Sequence, residues 1–429
     1  MHSLAELLNG SWLSPGAGTL SGASIDTRTL EHGQAFFAIP GSRVDGHDYL
    51  PEAFRRGASV AIVEREVVPP ASLAVLQVRC VREALWDLAQ HYRSTLRARV
   101  IAVMGSNGKT TTVRMLAKVL GQTMASHASA RSFNNALGLP LTILNCPVGA
   151  EALVCELGEG ERGALARYTA LARPDVAVVT SIGRAHVGEL GGMEAVRREF
   201  QDALETLRPT TEAYVPDALA ELHKPCRTTF SAVRADIADG RTRFELADGS
   251  VWSVPVVGLH NAGNAAAVIA VARHLGVREE DIAAGLDAFE PADMRLAVRE
   301  IGGATVLVDC YNANPDSMAA ALRTLELVGS GQRRVAVLGD MLELGPDSET
   351  WHREMGVMAS AVADHCVFIG PASKHAFDSV ANGAWFATVA EAGNTVCRHA
   401  QPGTVVLVKA SRGMAFERLL DAMQRIAVA

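Results

Sequence analysis

The 429-residue sequence has no long apolar run, no C-x-x-C pair and no basic cluster. Apolar stretches such as 176–179 and 404–408 have the length of strands, whereas a membrane-spanning helix needs roughly 20 apolar residues. The seven cysteines are scattered, which is typical of reduced thiols in a cytosol. The net charge is −7, so we expect no nucleic-acid-binding surface. Since no secretion signal is evident, we expect a cytoplasmic protein without a membrane span.

A strand-like run followed by a glycine-rich turn marks residues 100–112 as a phosphate-binding loop. The β-branched run 100–104 breaks at Gly105-Ser106-Asn107-Gly108 and continues into a helix-forming segment from Lys109. In such loops backbone N–H groups point at phosphate oxygens, the lysine lies near the β- and γ-phosphates, and the Thr110 hydroxyl ligates Mg²⁺. An ordinary strand-turn-helix connection explains the glycines but not a lysine followed by three threonines. We therefore predict ATP and Mg²⁺ as cofactors.

The residues predicted to bind the nucleotide from this half of the chain are Gly105, Asn107, Gly108, Lys109, Thr110, Thr111 and Asn135. For Asn135 a simple loop, in which the side chain bonds to the backbone, is the alternative. Asn261 is a candidate N-cap of an alanine-rich helix, which would leave Asn264 available to a base edge.

The alternation of strands and helices predicts an α/β protein with several domains. We expect a small α/β domain over 1–84, a central domain with a parallel sheet over 85–296, and a second open α/β unit over 297–429. Short alternating segments within 208–258 predict a β-rich insert in the central domain. Ligands of such folds bind at the carboxyl ends of the strands.

Polar residues follow several predicted strands, where a binding site is expected. Glu156 ends one strand of the central domain, and His186 follows the strand 176–180 after five further residues. Both are candidates to hold a second Mg²⁺, although a single Glu and a single His are more often structural. Three segments, 309–318, 339–345 and 409–414, occupy the same place in the third domain. Together they indicate a site that faces the ATP.

Several ordered motifs resemble those of the Mur ligases of bacterial cell-wall synthesis, and the resemblance covers essentially the whole chain. The motifs that carry it are residues 24–28, 41–48, 105–112, 311–318, 338–345 and 411–414. The resemblance implies three domains: one that binds a UDP-linked substrate, a central ATPase domain and a Rossmann-like domain. It also implies an ATP-dependent ligase that adds D-alanyl-D-alanine to a UDP-N-acetylmuramoyl tripeptide, with ATP phosphorylating the peptide carboxylate before the dipeptide amine attacks. Catalysis would consist mainly of positioning and charge neutralisation.

Residue roles follow from the resemblance by position. Lys109 and Thr110 would hold the phosphates and the first Mg²⁺, Glu156 and His186 the second, and Arg295, in the hinge before the third domain, would reach the γ-phosphate. Asn264 and Asn312 would contact the adenosine. The residues expected to bind substrate are Thr27, Arg28, Asp45 and Arg412.

The chain departs from the family at a lysine that is usually carbamylated and that gives the second Mg²⁺ a carboxylate. Phe200 stands at this position, and no lysine occurs between Lys118 and Lys224. Glu199 and Asp202 are the candidate replacements, because Mg²⁺ needs only a hard oxygen donor. We favour Glu199, although an offset of one residue turns a helical side chain by about 100°.

A second departure is the segment 159–165, Glu-Gly-Glu-Arg-Gly-Ala-Leu, where relatives usually carry an alanine followed by asparagine or serine. The added charge beside Glu156 is expected to alter the metal site or the peptide site.

Two other functions compete with the leading one. A ligase of this architecture recruited to another pathway would act on a different acceptor, and the loss of the carbamylated lysine gives this reading weight. A catalytically silent nucleotide-binding scaffold would not need a complete set of residues around the γ-phosphate. The presence of Lys109, Glu156, His186 and Arg295 therefore argues against a scaffold. We expect a monomer.

Overall fold

The computed structural model describes residues 4–16, 19–42, 44–70, 73–130, 132–222 and 226–428. Arg43, within the motif 41–48, lies outside the described residues. In the described part of the chain, no helix combines the length and the apolar character that crossing a bilayer requires.

The first domain is built on a mostly parallel sheet. Its strands are β1 Ser11–Ser14, β2 Ala23–Ser24, β3 Ala35–Phe37, β4 Val60–Val63 and β5 Ala74–Gln77, and its helices are α1 Leu4–Leu7 and α2 Leu50–Arg55, with a 3-10 turn at Gly46–Tyr49. The strand order is β1-β5-β4-β3-β2, and β1 runs antiparallel to β5. Every residue of β4 is buried, which explains its uninterrupted apolar sequence.

The central domain carries the predicted parallel sheet. Its strands are β6 Arg99–Met104, β7 Ser126–Ala128, β8 Ala152–Glu156, β9 Val176–Val179, β10 Glu212–Pro216 and β11 Arg227–Phe230, in the order β11-β10-β9-β6-β8-β7. Side chains of β6 alternate between two cores: Ile101 and Val103 face one, and Ala102 and Met104 face the other. The phosphate-loop strand therefore lies inside the sheet, between β8 and β9.

Helices cover both faces of this sheet. They are α3 Val81–Thr95, α4 Lys109–Leu120, α5 Gly138–Leu144, α6 Ala164–Ala172, α7 Val187–Leu190, α8 Met193–Thr206, α9 His260–His274 and α10 Glu279–Asp287, with a 3-10 turn at Asp217–Leu219. The β-rich insert predicted over 208–258 is only partly separate: β10 and β11 join the parallel sheet, whereas β12 Ala232–Ala238, β13 Arg241–Leu246 and β14 Val251–Val254 form an antiparallel sheet of their own.

The third domain is the second open α/β unit. Its strands are β15 Ala297–Ile301, β16 Ala304–Asp309, β17 Arg333–Gly339, β18 His365–Ile369, β19 Ala384–Phe386 and β20 Thr404–Lys409, in the order β15-β16-β20-β17-β18-β19. Its helices are α11 Pro315–Val328, α12 Ser348–Val362, α13 Lys374–Phe377, α14 Val389–His399 and α15 Glu417–Val428, with 3-10 turns at Gly345–Asp347 and Arg412–Met414. All neighbouring strands are parallel except β15 and β16. These sheets fall within the three predicted residue ranges, whose limits stay predictions.

The third domain contains a histidine that links its stability to pH. Burial, with help from His365 and nearby arginines, lowers the pKa of His399 from 6.5 to about 4. The unfolded chain therefore binds more protons between these values, so the free energy of unfolding is highest above pH 6.5 and falls as the pH drops towards 4. Because the ring is only half-buried, we expect the free energy of unfolding to fall by about 1 kcal/mol over this pH range. In urea unfolding at pH 7 and pH 5, the variant His399→Gln should lose less stability on acidification than the wild type, and an equal loss would refute this assignment.

Candidate active site

The phosphate loop has the backbone conformation that its glycines allow. Strand β6 ends at Met104, and α4 begins at Lys109 after Gly108, which has φ +86. A Cβ atom at Gly105, which has φ +143, would lie 2.0 Å from Oγ1 of Thr180, and one at Gly108 would lie 2.3 Å from Oδ1 of Asn264. Side chains are therefore excluded at both positions, and the amino end of α4 is open to an anion.

Lys109 bonds to the loop and to a buried carboxylate. Its Nζ donates to the carbonyl oxygen of Gly105 at 2.5 Å and to Oε2 of Glu159 at 2.8 Å. The Glu159 side chain is fully buried, while that of Lys109 is 12% exposed. The lysine is thus held beside the loop that would receive the phosphates.

Thr110 and Glu156 form a connected pair of oxygen donors. The Thr110 hydroxyl donates to Oε2 of Glu156 at 2.8 Å, and Nδ2 of Asn134 donates to Oε1 at 2.8 Å. The backbone N–H of Glu156 donates to Oγ of Ser129. The carboxylate at the end of β8 is therefore fixed next to the hydroxyl at the start of α4.

A cavity of about 530 Å³ opens above the phosphate loop, between the central and third domains. Among the predicted residues, it is lined by Asn107, Gly108, Lys109, Thr110, Thr111, Glu156, His186, Asn264, Arg295 and Asn312. A cavity of this size suits a nucleotide-sized ligand. The carboxyl ends of β6, β8 and β9 face those of β16 and β20 across it, and the predicted segments 309–318 and 409–414 contribute to its lining, whereas the predicted segment 339–345 does not.

Another cavity of about 530 Å³ lies at the opposite edge of the central sheet. It is lined by arginines, including Arg97 and Arg99, near the amino ends of β6 and β9. This edge has no phosphate loop, so we place the active site at the carboxyl ends of the strands.

Arg295 enters the cavity from the linker to the third domain. Its two neighbours, Met294 and Leu296, have φ of +62 and +51, so the linker turns sharply at this point. The guanidinium lies 4.1 Å from the centre of the Tyr311 ring, and Nη2 donates to Oγ of Ser132 at 3.3 Å. The Tyr311 hydroxyl also donates to Ser132, at 2.8 Å. The arginine is therefore held between the two domains.

Polar contacts join the third domain to the phosphate-loop side of the cavity. Nδ2 of Asn314 donates to Oδ1 of Asn107 at 2.9 Å, and Asn314 also caps α11. Arg184 donates through Nη2 and Nε to Oδ1 of Asp316, at 2.6 and 2.9 Å. These contacts hold the two domains around the cavity.

His186 connects the central domain to a carboxylate of the third. Its Nδ1 lies 3.0 Å from Oε2 of Glu189 and 3.1 Å from Oε2 of Glu343. The hydrogen bond to Glu343 raises the pKa of His186, while burial opposes it, and the same contact lowers the pKa of Glu343. Within the described ranges, these three residues are the one group of at least three His, Cys, Asp or Glu side chains whose possible ligand atoms all lie within 4.8 Å of one another. The two residues predicted to hold the second Mg²⁺ thus make different contacts. Glu156 is hydrogen-bonded to Thr110, whereas His186 lies beside the carboxylates of Glu189 and Glu343.

The prediction that Glu199 replaces the missing lysine is not supported by the geometry. Its Oε2 accepts from the backbone N–H of Gly163 at 2.8 Å and its Oε1 from that of Leu165 at 2.9 Å. Both oxygens thus cap the amino end of α6. Phe200 beside it is fully buried in the apolar core. The rotation of about 100° between neighbouring helical residues turns Glu199 away from the metal position.

Two asparagine assignments need correction as well. Oδ1 of Asn135 accepts from the backbone N–H groups of Leu137 and Gly138, as in the simple-loop alternative, and Asn135 does not line the cavity. Asn261 lies inside α9, whose N-cap is Leu259, and its Nδ2 donates to the carbonyl of Val257. Because the N-cap lies two residues earlier than predicted, Asn261 stands in the first turn of the helix, where its Oδ1 accepts from Nδ2 of Asn264.

The predicted substrate residues lie away from the cavity. Arg28 pairs with Asp26 at 2.6 Å, and Asp45 lies 2.6 Å from Nδ1 of His47, whose backbone N–H it also accepts. Thr27 is buried in the first domain, and Arg412 pairs with Glu417 at 2.7 Å. Their roles stay predictions.

Sequence reasoning missed some residues that the structure places in the site. Ser132 and Asn134 contact predicted residues directly, but serines and asparagines in turns carry no distinctive signal. Tyr311 lies in the predicted segment 309–318, where no role is assigned to it, and contacts Arg295. Glu159 carries a signal, since its segment departs from the family pattern.

Comparison with known proteins gives a consistent result along the chain. Residues 19–93 match the Mur ligase family catalytic domain, 103–272 the Mur ligase middle domain, and 294–412 the Mur ligase glutamate ligase domain. The UDP-N-acetylmuramoyl-tripeptide–D-alanyl-D-alanine ligase of Bacillus subtilis is 33% identical, with 98% of this chain and 97% of that protein covered. The ligase of the same name from Escherichia coli is 31% identical, with 99% and 98% covered.

Solved structures agree with these matches. A crystal structure of MurF from Acinetobacter baumannii superposes with a TM-score of 0.87 at 31% identity, and 98% of each chain is covered. MurF ligase from Thermotoga maritima in complex with ADP gives a TM-score of 0.82 at 27% identity, with 95% of this chain and 98% of that one covered.

Proposed function

Because this chain belongs to the Mur ligase family, we propose that it is the ATP-dependent ligase that joins D-alanyl-D-alanine to a UDP-N-acetylmuramoyl tripeptide in peptidoglycan precursor synthesis. One observation carries the proposal: the phosphate loop, with Lys109, Thr110 and Glu156 in place, faces a cavity that is closed by Arg295 of the linker and Tyr311 of the third domain. Two relatives that are named as this ligase match the chain over nearly its whole length.

The first half-reaction would be phosphoryl transfer from ATP to the terminal carboxylate of the UDP-linked peptide. The open backbone N–H groups at the start of α4 are proposed to bind the phosphates, and Lys109 to neutralise charge on the transferred group. Arg295 would approach the same group from the linker. ADP leaves, and the peptide becomes an acyl phosphate.

The residues present fit Mg²⁺. The Thr110 hydroxyl and the Glu156 carboxylate are hard oxygen donors, 2.8 Å apart, beside the phosphate loop. His186 also lines the cavity and would serve a second ion. Bound Mg²⁺ would neutralise the phosphate oxygens and hold them in line for transfer.

The second half-reaction would be attack of the dipeptide amine on the acyl phosphate. The amine adds to the acyl carbon, the tetrahedral intermediate collapses, and phosphate leaves as the amide forms. We propose that the third domain, including Arg412, binds the dipeptide and that Thr27, Arg28 and Asp45 of the first domain bind the uridine nucleotide. Positioning then accounts for most of the acceleration.

The test is release of ADP and phosphate from ATP and Mg²⁺ with both acceptors, with each acceptor omitted in turn and the product mass determined. The proposal requires turnover only with both acceptors and the mass of the pentapeptide product. Turnover with the dipeptide and a different UDP-linked or other acid would instead establish a ligase recruited to another pathway. ATP binding without turnover on any acid would support the silent scaffold.

A monomeric, cytoplasmic enzyme belongs to the same proposal. Light scattering of the purified protein should give the mass of one chain. Cell fractionation should recover the protein with the cytoplasmic markers.

Closure of the third domain on the central domain should be sensitive to one glycine. The backbones of Gly188 and Gly345 touch, so a Cβ atom at Gly188 would lie 2.3 Å from the backbone nitrogen of Gly345. Gly188→Ala should therefore push the domains apart and lower kcat by about 10-fold or more, because the reacting groups come from both domains. Gly149→Ala is the control, since its Cβ would have no neighbour within 4 Å. Equal steady-state rates for both variants would show that the contact between Gly188 and Gly345 has no effect on kcat.

A further inference from the structure

Glu159 is a buried carboxylate with only half of its hydrogen-bonding capacity used. Its side chain is fully buried, and Oε2 accepts from Nζ of Lys109 at 2.8 Å. Its Oε1 is also buried but has no hydrogen-bond partner among the residues that the structure describes. A buried charged oxygen without a partner costs free energy, so such a group is commonly found where a ligand completes its environment.

The loop between β8 and α6 is fixed so that Glu159 points inwards. The backbone N–H of Leu157 donates to the carbonyl of Val103, and that of Gly158 donates to the carbonyl of Asn134. At the other end of the loop, Glu199 accepts from the backbone of Gly163 and Leu165. The loop is therefore tied to the phosphate-loop strand on one side and to α8 on the other. Glu199, which was expected to bind metal, positions the segment that carries Glu159.

Binding of ATP would divide the charge that Glu159 now shares with Lys109. Lys109 is the residue proposed to reach the phosphates, and its ammonium has three donors, so its single positive charge would then be shared between Glu159 and the phosphates. The nucleotide also brings further negative charge close to this buried carboxylate. Two anionic groups in a buried site need a cation between them.

We propose that Glu159 is a ligand of the second divalent cation, which it holds with His186 and the γ-phosphate of ATP. This inference rests on the proposed function, because it requires ATP in the phosphate loop. Mg²⁺ at such sites commonly takes one or two carboxylates, substrate phosphates and water. Glu159 therefore supplies the carboxylate that the family obtains from a modified lysine at the position of Phe200.

Glu159 and His186 both lie at the phosphate-loop lysine: Glu159 bonds to Lys109, and His186 lines the same cavity as Lys109. Glu189 and Glu343 touch His186, but their side chains are 44% and 49% exposed and both already pair with it. Water can satisfy them, whereas it cannot reach Glu159.

The experiment counts bound metal instead of turnover. Mn²⁺ binding to the full chain would be titrated by electron paramagnetic resonance in the presence of a non-hydrolysable ATP analogue. The wild type should bind two Mn²⁺ ions per chain. Glu159→Gln and Glu159→Ala should retain one, held by Thr110 and Glu156, and bind the second about 100-fold more weakly.

The matched control is Glu161→Gln, which removes an exposed carboxylate two residues further along the same loop. It should bind two ions like the wild type. The single Mn²⁺ ion retained by the Glu159 variants shows that they are folded. As a measurement on the unaltered protein, anomalous diffraction from wild-type crystals with Mn²⁺ and the analogue should show a second ion next to Glu159.

Two ions of unchanged affinity in both Glu159 variants, or a second ion away from this side chain, would overturn the inference and leave Glu159 as a partner of Lys109 only. The count is independent of the acceptor assay. A wild type that binds two ions but makes no product would refute the proposed function, whereas a wild type that makes product and a Glu159→Gln variant that keeps two ions would refute only this inference.

Discussion

Lys109→Met is expected to reduce product formation by about 10³-fold or more while the protein stays folded. The side chain is held at the phosphate loop by Gly105 and Glu159, close to where the γ-phosphate would lie. Methionine has a similar length but no charge, so it cannot neutralise the oxygens of the transferred group. Steady-state rates of ADP and product release, with both acceptors saturating, measure the effect.

Lys118→Met is the matched control, because Lys118 lies exposed near the end of the same helix, α4. Its rate should equal that of the wild type within a factor of about two, since it loses only solvent-exposed charge. Full activity of Lys109→Met would mean that the phosphate loop does not bind the reacting nucleotide. The proposed mechanism would then be wrong.

Phe200→Lys, which restores the usual family residue, is expected to lower the free energy of unfolding by about 4 kcal/mol. Phe200 is fully buried in an apolar cluster with Val196, Ala203 and Leu204. In α8 these residues share the face that packs into the core, so the ammonium would be buried without a carboxylate partner. Urea unfolding of the two proteins without nucleotide gives the difference directly.

Phe200→Leu is the conservative comparison, and its cost should be about 1 kcal/mol. If Phe200→Lys is as stable as this control, position 200 must reach water or an anion, and the core position of this side chain would be wrong. A stable lysine variant would also weaken the claim that Glu159 is needed in its place.

Much of the fold could be predicted because continuous apolar runs in the sequence correspond to buried strands in the structure. The apolar runs 100–104 and 176–179 match β6 and β9 within about one residue at each end, since strands buried on both faces have continuous apolar sequences. The antiparallel edge strands β1 and β15 were not predicted. Their burial is only partial, so their sequences do not differ from those of loops.

The phosphate-loop residues could be predicted because one local motif fixes both backbone and side chains. The carboxylate that we propose for the second cation could not be predicted, because its identity depends on how the loop between β8 and α6 and the helix α8 face each other. Glu199 is the sequence neighbour of the missing lysine position, yet it caps α6, whereas Glu159, far away in the sequence, contacts Lys109. Asn135 and Asn261 failed for a similar reason, since short polar side chains bond to the local backbone in many turns and helices.

The central claim, that ATP activates the peptide carboxylate as an acyl phosphate, is tested most directly by following oxygen. The UDP-N-acetylmuramoyl tripeptide would be prepared with ¹⁸O in its terminal carboxylate and converted with ATP and D-alanyl-D-alanine. We expect the released phosphate to carry one ¹⁸O atom, because the carboxylate oxygen bonded to phosphorus leaves with it. Release of unlabelled phosphate, or appearance of the label in AMP, would contradict the acyl-phosphate mechanism.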